Sequence, residues 1–375
     1  MGQIISFINT SSLKFKILIV NRLLLGFKSK VESLLRHPQI IKDVIQGKSR
    51  DEIRAKVRKL TAREYEIECE KEVFDYISFL KRTQPYSSNP NSSLKLNKLC
   101  HIEDWQNNEL KEIISELQYA NSNDYIHRKG WDVEKYPVNN RKGAIYRKDW
   151  EWGLGVLAMK RFGKLTKESK AIGVGSATEE ILFYLANRID HVYATDLYDG
   201  KGWKNLVPTD FPENPKKYSP YPYNENALTI MRMDATRLEF SDESFDIAFS
   251  FSSIEHLGGE NHSGALRGTR EMERVLKPGG IAVVATEYML NDKEHIEFFN
   301  RRTIYSDLID KLERLKLVEP LDLRTTTKTL DAIIDYQSSV NWLASPYEFK
   351  KSHPYVLIRI NDLLVTSVML VFQKQ

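Results

Sequence analysis

The chain has 375 residues, 41% of them apolar, which is more than one average domain needs and enough for a large one with additions. Net charge is only +4, yet residues 1–60 carry 13 Lys/Arg against 4 Asp/Glu, or +9, leaving −5 for the remainder. Two cysteines, Cys69 and Cys100, with no Cys-x-x-Cys and no His-rich cluster, argue against a disulfide framework and a structural zinc site and fit a reducing, cytoplasmic setting.

No run of about 18 uncharged apolar residues is present, so no bilayer-spanning helix is expected. The nearest, Ile17–Phe27, is broken by Asn21-Arg22 and lacks the small-residue pattern of a cleavable signal. Met1-Gly-Gln-Ile-Ile-Ser6 formally matches a myristoylation pattern with Gly2 as acceptor. From Leu13 to Arg36, Ile17, Val20, Leu24, Val31, Leu34 and Leu35 recur at helical spacing among lysines and arginines. Such a helix can lie on anionic lipid or pack on its own domain; peripheral membrane contact is one expectation for it.

Thr61-Ala-Arg-Glu64 has capping-box spacing and predicts a helix start, with Val73, Ile77 and Leu80 on one face. Ser, Asn and Pro between Tyr86 and Asn97 predict a loop, and Leu110, Ile113, Ile114 and Leu117 a helix over Glu109–Tyr119. Residues 120–148 are irregular but aromatic, with Tyr125, His127, Trp131, Tyr136 and Tyr146, and suit a substrate-side cover or a wrap. Asp149 then predicts an N-cap for a helix Trp150–Phe162. The expected division is an N-terminal helical or irregular extension, 1–148, and an α/β domain, 149–375.

From residue 170 strands and helices alternate, the pattern of a mostly parallel sheet with crossover helices. Strands are predicted at 171–175, 191–197, 228–234, 245–251 and 280–287, and helices at 178–189, 264–275 and 302–314. Between the second and third strands, Asp199–Ala227 holds five prolines, which bar a long helix, and Trp203, Phe211, Tyr218, Tyr221 and Tyr223, which argue against disorder. Tyr355–Ile360 and Leu363–Phe372 flank Asn361-Asp362 and predict an antiparallel hairpin at one sheet edge, with Leu317–Leu323 as a competing strand. The fold expected is a Rossmann-like three-layer αβα sandwich, mostly parallel with an antiparallel edge strand.

In an open α/β sheet, ligands bind beyond the carboxyl ends of the strands, at the topological switch point. This sequence places the Gly173-Val174-Gly175-Ser176 turn after the first strand, where glycines permit a sharp turn and close approach to main chain. After the second comes Asp196, 21 residues past Gly175, where a carboxylate can accept from both hydroxyls of a ribose, followed by Leu197. Asp234-Ala235 follows the third strand, an acid and a backbone N–H suited to adenine. Ser250, Ser252, Glu255 and His256 follow the fourth, and Glu287-Tyr288 the fifth.

Together with Asp234-Ala-Thr-Arg-Leu-Glu-Phe240, Ser244-Phe-Asp246, Ile254-Glu-His256 and Leu276-Lys-Pro-Gly-Gly280, this ordered series resembles the class I S-adenosylmethionine-dependent methyltransferases over about 170–290. Two features depart from that pattern: the acid before the first glycine is replaced by Ala171-Ile172, and the third glycine by Ala177. The resemblance implies S-adenosylmethionine as cofactor, with Gly173, Val174, Gly175 and Ser176 at its methionyl part, Asp196 and Leu197 at the ribose side, Asp234 and Ala235 at adenine, and Ser250 on the methionine side.

Methyl transfer is an in-line displacement, and an alcohol acceptor gains from a base that takes its proton. His256 is the candidate, with Glu255 orienting it or touching substrate; Glu287 is a second. DNA amino methylation is argued down by Ser252-Ser-Ile-Glu255 in place of an Asn/Asp-Pro-Pro-aromatic tetrad, and pyrimidine carbon methylation by the absence of a cysteine from the domain. No nucleic-acid module and no metal are expected. The expected function is O-methylation of a sugar, glycan or other small hydroxyl acceptor, with the insert's aromatics stacking on a sugar face, and a faint likeness to surface-polysaccharide enzymes. Alternatives are a non-catalytic scaffold with a partner- or membrane-binding N-terminal helix, and an NAD(P)-dependent enzyme. Nothing in the sequence sets the oligomeric state.

Overall fold

The computed structural model describes residues 50–88, 92–118, 143–200, 207–335 and 352–375, together with Asp43 and Lys48. The Leu13–Arg36 helix, the Met1–Ser6 pattern, the aromatics Tyr125, His127, Trp131 and Tyr136, and Trp203 lie outside the described residues. Two compact units divide the chain, Met1–Phe74 and Asp75–Gln375.

Helix α1, Arg50–Thr83, passes unbroken through Thr61–Glu64, so the capping-box spacing does not start a helix here. The run is rich in Glu, Lys, Arg and Ala, whose propensity carries the helix across that spacing. Val73, Ile77 and Leu80 are buried as their phase predicts. Helix α2, Asn108–Gln118, buries Leu110, Ile113, Ile114 and Leu117, and Asn107 Oδ1 accepts the Leu110 N–H at 3.2 Å.

Helix α3, Arg147–Arg161, begins earlier than predicted, after Tyr146 rather than Asp149. Asp149 lies inside its first turn and accepts from Gln118 Nε2 at 2.8 Å, a tertiary use of a side chain that reads locally as a cap. Trp150 Nε1 donates to Asp104 Oδ2 at 2.7 Å and fixes α3 to the 3₁₀ turn Ile102–Gln106.

Ten strands form one sheet: β1 (Lys98–Leu99), β2 (Lys170–Val174), β3 (His191–Asp196), β4 (Leu228–Arg232), β5 (Phe245–Phe251), β6 (Leu276–Met289), β7 (Leu315–Leu317), β8 (Ile333–Asp335), β9 (Leu357–Ile360) and β10 (Leu363–Lys374). The order is β4-β3-β2-β5-β6-β10-β9-β8, with β1 and β7 also on β10. The run from β4 to β6 is parallel; the apolar residues of β2, β5 and β6 are buried, as strands covered on both faces require, whereas β4 at the end of the order keeps Ile230 and Met231 partly exposed. Helices α4 (Glu180–Ala186) and α5 (Ser263–Val275) are two of its connections.

The terminal hairpin forms, and β10 is antiparallel to β6, but it is no edge strand. Its far side pairs in turn with β9, β1 and β7; β7 spans Leu315–Leu317, so the strand expected at Leu317–Leu323 is met only at Leu317, with an isolated bridge from Asp322 to Lys98 beyond it. The sheet is mixed. Leu276–Gly280 is not a turn before β6 but a bulge within it: Phe245 pairs with Leu276 and Ile247 with Ile281, while Gly279 takes φ +72°. The helix expected at 302–314 is a succession of short α, π and 3₁₀ turns from Arg301 to Lys311.

The described part of the insert holds a one-turn helix, Pro215–Tyr218, with proline at its first position where no N–H is needed. Its aromatics turn inward. Phe211 is buried against Phe183, Tyr198 and Tyr218, and Tyr223 meets Phe183 edge-on at 4.9 Å. Phe211 and Tyr218 are core, and Tyr221 and Tyr223 pack partly buried against it.

Candidate functional site

The strand order reverses between the parallel neighbours β2 and β5, and the candidate residues gather at the carboxyl ends of β2, β3, β5 and β6. Gly173 lies so near Phe249 that a Cβ would stand 2.7 Å from its ring. At Gly175, φ is +62° and a Cβ would come within 2.3 Å of Ser253 Oγ, so only glycine fits this turn. Ser253 Oγ donates to the Gly175 carbonyl at 2.8 Å, and Ser176 N donates to the Thr195 carbonyl at 3.0 Å. The turn is bare of side chains yet held on both sides, as close approach of a ligand to main chain requires.

Helix α4 starts later than predicted. Ser176–Glu179 is a turn with Ala177 at φ +42°, and the helix runs from Glu180. Val174 and Ser176 are buried. Ser250 is buried too, its hydroxyl donating to the Val174 carbonyl at 2.8 Å, which ties β5 to β2. Ser252 and Ser253 are the hydroxyls beyond the strand end.

Asp196 closes β3 with each carboxylate oxygen on one backbone N–H: Ala177 at 3.0 Å and Leu197 at 2.7 Å. Burial raises its pKa, opposed by the backbone N–H groups of Ala177, Leu197 and Tyr198. Each oxygen keeps lone-pair capacity for a further donor. Leu197 beside it is 50% exposed, an apolar surface at the rim. Asp234 Oδ1 accepts from Thr236 N and Oγ1, both at 2.8 Å, a local turn of the kind short acids make. Ala235 follows it, buried.

On the other side, Glu255 is 3% exposed and accepts from Thr286 Oγ1 at 2.9 Å and Glu287 N at 3.3 Å. Burial, and then the adjacent Glu287, push its pKa up to about 8. Glu287 forms an ion pair with Arg147. His256 Nδ1 stands 3.7 Å from Glu297 Oε1, so the acid facing that nitrogen comes from beyond β6, not from the expected Glu255. One ligand-type atom each from Glu255, His256 and Glu287 lies within 4.8 Å of the others. Arg147 already provides the positive charge at Glu287, so the group is read as an acid–base set.

Sequence reasoning missed the polar chain beneath this set. Lys148 Nζ meets Glu179 Oε1 at 2.7 Å, Glu151 Oε2 at 3.1 Å and the Phe251 carbonyl at 2.7 Å. Glu151, 1% exposed, accepts from Ser252 Oγ at 3.0 Å and from Ser367 Oγ; Ser367 Oγ is also 3.4 Å from Arg147 Nη1. Burial alone would lower the Lys148 pKa, but Glu151 and Glu179 hold it raised. Burial would raise Glu151, but Lys148 and Arg147 keep it low. Glu179 is pushed up to about 7 by burial, with Lys148 opposing. One signal was available: Arg147, Lys148 and Glu151 interrupt a helix that is otherwise aromatic and apolar at these turns.

Residues 172–284 match a family model described as a methyltransferase domain. Among solved structures, the chain is similar to phosphoethanolamine N-methyltransferase 2 of Haemonchus contortus in complex with S-adenosyl-L-methionine, at 17% identity over 60% of this chain and 52% of that one, TM-score 0.37. It is also similar to a SAM-dependent methyltransferase from Aquifex aeolicus, at 12% identity over 69% and 97%, TM-score 0.34. The YcgJ protein of Bacillus subtilis matches at 13% identity over 59% and 98%, TM-score 0.36.

Proposed function

We propose that this protein, whose residues 172–284 form a class I S-adenosylmethionine-dependent methyltransferase domain, methylates a hydroxyl of a small acceptor, with a sugar or glycan as the acceptor class. The observation that carries the hydroxyl is the convergence of Glu255, His256 and Glu287 at the ends of β5 and β6, beside a turn that only glycine can make. The inward packing of the insert's aromatics removes one support for a sugar; the acceptor class rests on polar groups instead.

The donor set fits the cofactor. The bare Gly173–Ser176 turn would hold the methionyl part, Asp196 the ribose hydroxyls, and Asp234-Ala235 the adenine edge. When bound, the cofactor supplies a methyl group on a positively charged sulfur. His256, the more exposed neighbour of buried Glu255, takes the acceptor proton as bonding develops, and the turn and strand ends hold the reactants in line. Domain extent and membrane contact enter the same proposal: the sheet unit carries the chemistry, and the basic segment 1–60 provides a peripheral contact with anionic lipid. Among the described residues no helix is long and apolar enough to cross a membrane.

Calorimetry with S-adenosylmethionine, S-adenosylhomocysteine and NAD tests the reading. Binding of both sulfur compounds and not NAD supports it; binding of NAD alone sinks it. Labelled cofactor incubated with fractionated cell extract then identifies the acceptor by the fraction that takes up label.

A further inference from the structure

From the glycine turn to the end of β6 runs one chain of buried and partly buried polar side chains: Glu179, Lys148, Glu151, Ser367, Arg147, Glu287 and Glu255. It holds four carboxyl groups and two cations, so full ionisation would leave 2 − 4 = −2. Two uncompensated charges in an interior where Glu151, Glu179 and Glu255 are 1%, 8% and 3% exposed are costly, and such acids keep protons instead. The ion pairs decide which. Glu151 and Glu179 share Lys148 and Glu287 holds Arg147, whereas the donors to Glu255 are neutral, Thr286 Oγ1 and Glu287 N.

Both ends of this chain are tied to the same turn. Glu179 N donates to the Ser176 carbonyl at 3.1 Å, and Glu255 lies two residues past Ser253, whose hydroxyl holds the Gly175 carbonyl. The charged and titratable groups facing Glu255 are Glu287 on β6, Glu151 with Arg147 and Lys148 on α3, and His256 beside it. Glu297 and His295 lie beyond, and Tyr355 faces Arg147. Helix α5 packs on the segment just past Glu255, with Gly264 against the Leu257 and Gly258 carbonyls and Gly268 against the Leu257 side chain.

We propose that Glu255 gives up its proton when the positively charged methyl donor binds and recovers one from the acceptor hydroxyl when the methyl group is transferred. The inference rests on the cofactor reading above. In the transfer, the carbon–sulfur bond breaks with its electron pair left on sulfur, and a carbon–oxygen bond forms from a hydroxyl lone pair. The hydroxyl proton passes through His256 to the Glu255 carboxylate. The sulfur loses its positive charge as Glu255 loses its negative one, so the enclosed charge is the same before and after. Glu255 is thus a positioning residue that acts through His256, and its ionisation is set by the donor's charge.

S-adenosylmethionine and S-adenosylhomocysteine differ only by the methyl group and the charge it places on sulfur, so the pair isolates the effect. Titration calorimetry of the full chain in buffers of different ionisation enthalpy, near about pH 7.5, counts protons released on binding. The methylated compound is expected to release about half a proton or more per site beyond its demethylated partner, and Glu255→Gln to abolish that difference while still binding both. Equal proton counts for the two compounds in the unaltered protein overturn the inference, with no variant needed. So does a difference that survives in Glu255→Gln. Failure of either compound to bind would instead remove the cofactor reading itself.

Discussion

Arg147 and Glu287, 140 positions apart in sequence, meet as a partly buried ion pair between the first turn of α3 and the end of β6. Burial would lower the Arg147 pKa, but Glu287 and Glu151 hold it raised, so the guanidinium stays charged at any working pH. The pair does two things at once: it docks α3 on the sheet, and it gives Glu287 a cation, where the adjacent Glu255 has Thr286 Oγ1 and Glu287 N as donors.

Arg147→Ala removes the cation and leaves Glu287 buried next to Glu255. Breaking a buried pair from one side is strongly destabilising, and a loss of about 3 kcal/mol is expected. Arg147→Lys should recover part of it, less the planar reach toward Ser367. Urea denaturation checks this; an unchanged midpoint in Arg147→Ala would mean that the pair is exposed in solution.

This pair also shows where the sequence stopped being legible. Strands β2 to β6 announce themselves through continuous apolar runs bounded by turns, and the residues at their ends follow from strand placement alone. That is why Gly175, Asp196 and Asp234 could be singled out and are found at strand ends. Side-chain partners across the fold have no such local signal. Asp149 looks like a helix cap because caps are read from neighbours, but Gln118, 31 residues earlier, takes its carboxylate. Thr61–Glu64 likewise has the spacing of a cap, yet strong helix formers on both sides carry α1 through it. The insert's aromatics carry no label for direction, and the cleft beside Phe183 drew them inward.

Gly175→Ala should act on binding as well as on folding. A left-handed φ costs a non-glycine residue about 1–3 kcal/mol, and the new Cβ would displace Ser253 Oγ from the Gly175 carbonyl. Gly163 offers the control, with φ +65° and nothing within 4 Å of its Cβ position. Gly163→Ala is expected to cost about 1 kcal/mol and leave S-adenosylmethionine affinity unchanged, whereas Gly175→Ala lowers that affinity by about tenfold or more. Equal affinities in the two variants would dissociate the turn from the cofactor.

For Asp196, the proposal is contact with the ribose hydroxyls. Asp196→Ala loses both backbone N–H partners, at Ala177 and Leu197, and any hydroxyls it receives. Affinity should fall by more than about tenfold, since hydrogen bonds to a charged acceptor are each worth about 1.5–3 kcal/mol. A nucleoside without ribose hydroxyls in the 2′ and 3′ positions should discriminate little between variant and parent. If that analogue loses as much as the cofactor does, Asp196 acts through the turn and not through the sugar.

Glu255 makes stability depend on pH in a particular direction. Its carboxyl is pushed up to about 8 in the folded protein from an ordinary value of 4.5, so the folded state holds a proton that the unfolded chain has lost over that interval. An acid raised in this way stabilises the fold fully below about pH 4.5, and its contribution is lost as pH rises through about 8. Glu179, pushed up to about 7, adds in the same direction over a narrower window. Glu255→Gln keeps the shape and cannot ionise, so it should match the parent near about pH 4.5 and exceed it near about pH 8.5 by on the order of 3 kcal/mol. Thermal or urea unfolding at the two pH values measures the difference. A variant that gains nothing between them would show that Glu255 is already ionised in the folded protein, with its charge compensated by a group other than the donor.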